Sequence, residues 1–281
     1  MNKQEQAAFL IEAMPYIKKY FNKILVVKYG GNAMIDDELK SSVMRDLVVL
    51  NALGIKVVLV HGGGPEISET IKQMGKESRF INGLRYTDGE TAEVVRMVLA
   101  GKTNKTLTDL ICRNGGKAVG ICGQDGHLLK CSKQNEELGF VGRIEQVNTQ
   151  IIVDLLGLGY VPVVATVGYD DEGNIYNINA DTAAASIAGA LNAESLILMT
   201  DISGLLEDKD DPDSLIKKVY VSDIPALVKQ GIISGGMIPK IECCKDAIRR
   251  GVKKAVIIDG RVSHSILIEL LSDEGSGTMF V

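Results

Sequence analysis

The stretch Ile24-Leu25-Val26-Val27-Lys28-Tyr29-Gly30-Gly31-Asn32 decides the fold. Four apolar residues, three of them β-branched, read as a strand buried on both faces, the pattern of a parallel sheet. The run then meets a lysine and a Gly-Gly pair. Two glycines at a strand end let the backbone turn sharply and bring its N–H groups close to a ligand. A lysine beside them adds a fixed positive charge, and donors plus a cation suit phosphate or carboxylate oxygens. The same stretch also fits a plain strand-end turn with a solvated lysine. Repetition separates the two readings: Val57-Val58-Leu59-Val60 runs into His61-Gly62-Gly63-Gly64-Pro65, a second glycine-rich strand end one helix further on.

Strand and helix patterns alternate from there to the C-terminus. Helical periodicity covers about 37–53, a stretch up to about 74, 90–100, 103–114 and 149–157, with strands at 118–122 and 160–165. Residues 124–147, with Phe140, Val141, Ile144 and Val147 alternating, read as a β-hairpin region. After a turn at 170–174, Asn177-Ile178-Asn179-Ala180-Asp181 caps an Ala-rich helix over 181–191. Strands at 195–201, 255–258 and 277–281 and helices near 222–230, 236–250 and 263–271 complete the chain. This alternation implies an α/β fold, a largely parallel sheet covered on both faces. No low-complexity linker interrupts it, so two lobes over one continuous sheet are expected, dividing near 170–177. Upstream, residues 4–21 read as an amphipathic helix with Leu10, Met14, Ile17 and Phe21 on one stripe, kinked or divided at Pro15. That stripe needs cover, from its own domain or from another subunit.

The 281 residues are 46% apolar and carry a net charge of −5, which argues against nucleic acid or an anionic membrane as the main partner. No apolar run reaches membrane-spanning length, and the first residues lack the apolar core of a signal peptide, so a cytoplasmic location is expected. Five cysteines without metal-ligand spacing read as buried thiols, and three histidines argue against a His-rich metal site.

Four strand ends carry ligand-type residues: Lys28 to Gly31, Gly62 to Gly64, Thr200-Asp201, and Asp259-Gly260. In open α/β sheets ligands bind beyond the C-terminal strand ends, and glycine-rich turns aim helix N-termini at anions. The chain has neither a G-x-x-x-x-G-K-[ST] loop nor a G-x-S-x-G elbow, so any phosphate chemistry uses another architecture.

Lys28-Tyr29-Gly30-Gly31-Asn32-Ala33-Met34, His61 to Pro65, Asn82-Gly83-Leu84-Arg85, Asn177 to Asp181 and Gly235-Gly236-Met237-Ile238-Pro239-Lys240 resemble, in unbroken order, the acetylglutamate kinases of the amino-acid kinase family. The resemblance implies a three-layer αβα sandwich with an N-terminal helix over 1–22, an acyl-amino-acid lobe over 23–175 and an ATP lobe over 176–281. It implies transfer of the γ-phosphoryl of ATP to the side-chain carboxylate of N-acetyl-L-glutamate, with magnesium held mainly by the nucleotide. Lys28 and Lys240 would neutralise the transferring group, with Asp181 between them. Gly63, Gly64, Arg85, Asn177 and Asn179 would hold the acceptor. Gly30, Gly31, Thr200, Asp201, Gly204 and Met237 would hold ATP. A carboxylate acceptor is already ionised, so no general base is required.

The N-terminal helix and the C-terminal segment also resemble those of the arginine-inhibited members. This implies a homohexamer built as a trimer of dimers and an L-arginine site near Tyr16, His264, Glu269 and Gly277. A signalling partner of the PII type binds some members. Other amino-acid kinases, among them glutamate 5-kinase, aspartokinase, uridylate kinase and carbamate kinase, share the fold. A catalytically silent arginine-binding scaffold is the rival of another class; the presence of both lysines and Asp181 opposes it.

Overall fold

The computed structural model describes residues 3–34, 36–273 and 275–281. The side chains of Leu10, Asn32 and Ala33 lie outside the described residues. In chain order the elements are α1 (Lys3–Tyr20), β1 (Ile24–Tyr29), α2 (Asp37–Ala52), β2 (Lys56–His61), α3 (Gly64–Gln73), β3 (Phe80–Ile81), β4 (Leu84–Arg85), α4 (Gly89–Arg96), α5 (Asn104–Arg113), β5 (Ala118–Cys122), β6 (Leu129–Lys133) and β7 (Gly142–Val147). They continue with α6 (Gln150–Gly157), β8 (Val161–Ala165), β9 (Val167–Tyr169), β10 (Ile175–Asn177), α7 (Ala180–Ala190), β11 (Ser195–Thr200), β12 (Lys218–Val219), α8 (Ile224–Lys229), α9 (Met237–Arg249), β13 (Lys254–Asp259), α10 (Ser265–Leu271) and β14 (Thr278–Phe280).

Eight strands form one sheet in the order β12-β14-β13-β11-β1-β2-β8-β5. The six strands from β13 to β5 run parallel; β14 joins β13 antiparallel, and β12 follows β14 in parallel. The closing strands thus turn the sheet mixed at one edge.

The opening stretch has the expected double burial. Leu25, Val27 and Tyr29 pack with Met44 and Leu47 of α2, Leu107 of α5, Ile266 of α10 and Tyr20 of α1. Val26 faces the opposite layer, with Ile152 of α6, Ala183 and Ala184 of α7 and Ile241 of α9. Helices, sheet and helices make three layers, the αβα arrangement. β6 and β7 pair antiparallel as the expected hairpin, in a smaller sheet ordered β10-β9-β6-β7.

Three expectations are corrected. First, Pro15 does not divide the N-terminal helix into two: α1 is a single helix with Pro15 inside it. Pro15 and Ile11 both lie on the exposed side, so the carbonyl that Pro15 leaves without its usual donor is on the hydrated face. Second, α1 buries Ala13 and Tyr20, whereas Met14 and Phe21 of the expected stripe are exposed. Third, the helices expected at 90–100 and 103–114 do not separate: a π-helical segment, Met97–Thr103, joins α4 to α5. No helix among the described residues is long and apolar enough to cross a membrane.

Candidate active site

Side chains alternate along a strand with a period of two, so Lys28 shares the face of Val26 and meets the start of α7. There its Nζ lies 2.8 Å from Asp181 Oδ1, while Lys240 Nζ, from the first turn of α9, lies 3.7 Å from Asp181 Oδ2. One carboxylate therefore ties together ammonium groups from the two halves of the chain. Burial pushes the Asp181 carboxyl up, but Lys28 and Lys240 more than offset it and hold the group below the usual carboxylate range. Asn179 fixes the register of this helix, its Oδ1 accepting from Asp181 N–H at 3.0 Å and Thr182 N–H at 3.1 Å.

A cavity of about 210 Å³ opens beside Lys28. Gly30, Gly31, Gly63, Gly64, Arg85, Asn177 and Asn179 line it, together with Leu99, Val141 and Ile178, which the sequence alone did not single out. Two helices, α3 and α7, begin at its wall, so two positive dipole ends face it. Lys28 and Arg85 are its cations, and no carboxylate stands among the described lining residues. Arg85 is buried, with Nη2 donating to the Gly64 carbonyl at 2.9 Å and Ser68 Oγ at 2.8 Å, and Nη1 donating to Ser78 Oγ at 2.5 Å. Its guanidinium also lies 4.8 Å from the Phe80 ring centre. Burial lowers its pKa, and neutral groups are its only partners among the described residues, so an incoming anion finds an unneutralised charge.

Asn177 and Asn179 are partly committed elsewhere. Asn177 Nδ2 donates to Thr87 Oγ1 at 3.2 Å, and the Asn179 carbonyl oxygen is taken by the helix cap. Gly63 is demanded by packing, since a Cβ there would stand 2.6 Å from Leu99 Cδ2 of the π-helical segment. Sequence periodicity at 3.6 residues carries no sign of a π turn, and that is why Leu99 went unnoticed.

A second cavity, of about 570 Å³, lies on the far side of Lys240. Asp201, Gly204, Met237 and Lys240 line it, with Ser203, Lys209, Ser234 and Arg261 as additional polar groups. Thr200 is buried behind it and donates to Asp201 Oδ1 at 3.2 Å. Asp259 holds Arg261 through Nε at 2.9 Å and Nη2 at 2.7 Å. Gly30 and Gly31 line the first cavity beside Lys28, not this second one.

A third cavity, of about 470 Å³, separates α1 from α10 and β14. Tyr16, Glu269 and Gly277 line it, with Lys19, Lys217, Lys218 and Lys254. Tyr16 donates to Asp273; Glu269 accepts from Ser276 N–H at 2.8 Å and lies 3.9 Å from Lys254 Nζ. His264 is not part of this lining. It stands at the N-cap position of α10 without a side-chain capping bond, and its Nδ1 bonds Asp46 Oδ1 at 2.6 Å, the buried carboxylate on α2 drawing the ring away.

The sequence profile of the amino acid kinase family matches residues 23–259. A protein of Brachyspira hyodysenteriae named acetylglutamate kinase is 55% identical over 100% of this chain and 98% of its own. One of Clostridium beijerinckii with the same name is 54% identical over 99% of each. Among solved structures, the N-acetylglutamate synthase of Neisseria gonorrhoeae complexed with coenzyme A and N-acetyl-glutamate superposes with a TM-score of 0.84 at 23% identity. That match covers 98% of this chain and spans 63% of the synthase. The carbamate kinase of Giardia lamblia bound to AMP-PNP gives 0.67 at 18% identity, over 92% of this chain and 98% of that one. The two structures share the fold. Matched from β1 to the end of β13 by the family profile, and along its whole length by these relatives, the chain belongs to the amino acid kinase family.

Proposed function

We propose that the chain transfers the γ-phosphoryl group of ATP to the side-chain carboxylate of N-acetyl-L-glutamate, forming N-acetyl-L-glutamyl 5-phosphate, the second step of arginine biosynthesis by the acetylated route. One observation carries this reading: Asp181 joins Lys28, which lines the first cavity, to Lys240, which lines the second, and the first holds a buried guanidinium without an anionic partner among the described residues. The acceptor is a dianion with an apolar acyl group. Arg85 would take its α-carboxylate in a bidentate pair, Asn177 and Asn179 its amide, and Leu99, Val141 and Ile178 its methyl. ATP, entering as its magnesium complex, would occupy the second cavity with its γ-phosphate toward Lys240. The lobes would then be residues 23–175 for the acceptor and 176–281 for the nucleotide, with residues 1–22 as a separate helix.

In the transfer, a carboxylate oxygen of the acceptor bonds to the γ-phosphorus while the bond from that phosphorus to the β,γ-bridging oxygen breaks, and ADP leaves with the bond's electrons. No proton moves, because the attacking oxygen is already ionised. Catalysis then rests on position and charge. Lys28 and Lys240 neutralise the equatorial and leaving oxygens, Asp181 keeps the two ammonium groups from swinging apart, and the N–H groups of Gly63 and Gly64 meet oxygens at the head of α3.

The third cavity would receive L-arginine, its guanidinium on Glu269 and its carboxylate among the lysines. The exposed Ile11, Met14 and Phe21 of α1 would be covered by another subunit in a hexamer formed as a trimer of dimers, and a PII-type protein is a candidate partner. A coupled ADP-release assay tests the reaction: turnover is expected with N-acetylglutamate and not with glutamate, aspartate or carbamate. Equal turnover with a non-acylated acid would refute the substrate assignment.

A further inference from the structure

His61, the last residue of β2, is wholly buried and has no place in the transfer just described. Its Nδ1 lies 2.8 Å from the Gly62 carbonyl and its Nε2 lies 3.1 Å from Asn104 Nδ2. Asn104 is buried too, at the junction where the π-helical segment becomes α5. Its amide orientation is settled by its other partners. Nδ2 donates to the Val163 carbonyl at 2.8 Å and the Ile121 carbonyl at 3.2 Å, and Oδ1 accepts from Lys105 Nζ at 3.1 Å. Gly120 leaves the room this needs, since a Cβ there would stand 1.9 Å from Asn104 Oδ1.

An Nε2–H pointed at this NH2 group would set donor against donor, so Nε2 of His61 is the unprotonated nitrogen, sharing an amide hydrogen with the Ile121 carbonyl, and the proton resides on Nδ1 and is donated to Gly62. The ring stays neutral, because burial lowers its pKa to about 4 and Lys105, the charged group facing this network, opposes a second cation there. The acceptor carbonyl belongs to the Gly62–Gly63 peptide. A trans peptide is planar with its C=O and N–H on opposite edges. Anchoring the carbonyl on the imidazole therefore sends the Gly63 N–H the other way, and Gly63 lines the first cavity. The neighbouring Gly62 N–H is already donated to the Tyr29 carbonyl at 3.1 Å.

We infer that His61 is a positioning residue, locked by Asn104 in its Nδ1–H tautomer, which holds the Gly63 N–H against an oxygen of the acceptor carboxylate and so keeps that carboxylate in line for attack. This rests on the first cavity being the acceptor site; the tautomer does not. The ring nitrogen signals of [15N]histidine-labelled full-length protein without ligand read the tautomer directly: Nδ1–H is expected throughout pH 5.5–8, and an Nε2–H or doubly protonated ring overturns the inference. In kinetics, His61→Leu is expected to lower kcat about tenfold to a hundredfold while KM for ATP stays within about twofold. His61→Asn, whose amide nitrogen takes the place of Nδ1, recovers most of the lost rate. A folded His61→Leu enzyme with undiminished kcat overturns it, as does a His61→Asn enzyme no better than His61→Leu. Should His61→Leu fail to fold, the nitrogen spectrum of the wild-type protein decides. A wild-type protein that shows the Nδ1–H tautomer yet turns over no acylated acid refutes the substrate assignment and leaves the locked tautomer standing.

Discussion

Asp181 stands against two ammonium groups, and its effect runs in two directions at once. It holds Lys28 and Lys240 in place, yet it also takes up part of their charge before the nucleotide arrives. Replacing it by Asn should therefore leave binding of the two substrates less affected than kcat, which is expected to fall about a hundredfold, comparable to losing one oxyanion donor. Steady-state kinetics with both substrates check this. The pH dependence follows from the sign of the shift. The carboxyl has a lower pKa in the folded protein than unfolded, so it stabilises the fold above the unfolded value and loses that contribution as pH falls through the carboxylate range toward the folded one. The gap in unfolding midpoint between wild type and Asp181→Asn should be constant near neutrality and close only below about pH 4. Lys28, Asp181 and Lys240 were legible as residues because motif spacing marks them. The neutral surroundings of Arg85 were not: Ser68, Ser78 and Phe80 are scattered in sequence and meet only through the turn of β3 into β4.

Helix starts carry most of the site's geometry. At α7 one side chain does two things, since Asn179 caps the helix and lines the first cavity. Two substitutions separate them. Asn179→Ala is expected to cost about 1 kcal/mol of stability through the lost cap, seen in denaturant unfolding. Asn179→Asp keeps a capping oxygen and the stability, but places a negative charge against a dianion and should raise KM for the acceptor severalfold. At α3 the limit is steric. Gly63→Ala meets the tip of Leu99, which also lines the first cavity and would be pushed into it, and should lower kcat/KM for the acceptor more than for ATP. Strand and helix identity was readable from periodicity over most of the chain. The π-helical Met97–Thr103 was not, because one extra residue in a turn leaves the apolar pattern of 90–114 nearly intact. The unbroken α1 escaped for a related reason: proline disrupts a helix by what it withholds from a carbonyl, and an exposed carbonyl accepts water instead.

At the scale of the molecule, β1 and β11 pair in register from Leu25 with Ser195 to Lys28 with Leu198, so both halves of the chain share one ladder. The absence of a low-complexity linker between the two halves implied that continuity from sequence alone. The reversal of β14 and β12 was not legible, because apolar pattern does not encode strand direction. Removing residues 1–20 uncovers one wall of the third cavity and deletes the exposed apolar side of α1. The truncated protein is expected to be a smaller oligomer, still active and no longer inhibited by arginine. Size exclusion with inhibition curves checks this, and a truncated form still hexameric and still inhibited would overturn the assignment of that helix.

β13 has a foot in two places. Lys254 at its start borders the cavity under α1, and Asp259 at its end grips Arg261 on the wall of the cavity beyond Lys240. Between them run four residues with no solvent contact, laddered on one side to β11 and on the other to β14. The strand spans roughly 17 Å between the two cavities. A substitution that disturbs the packing of those four residues is therefore expected to be felt at both ends.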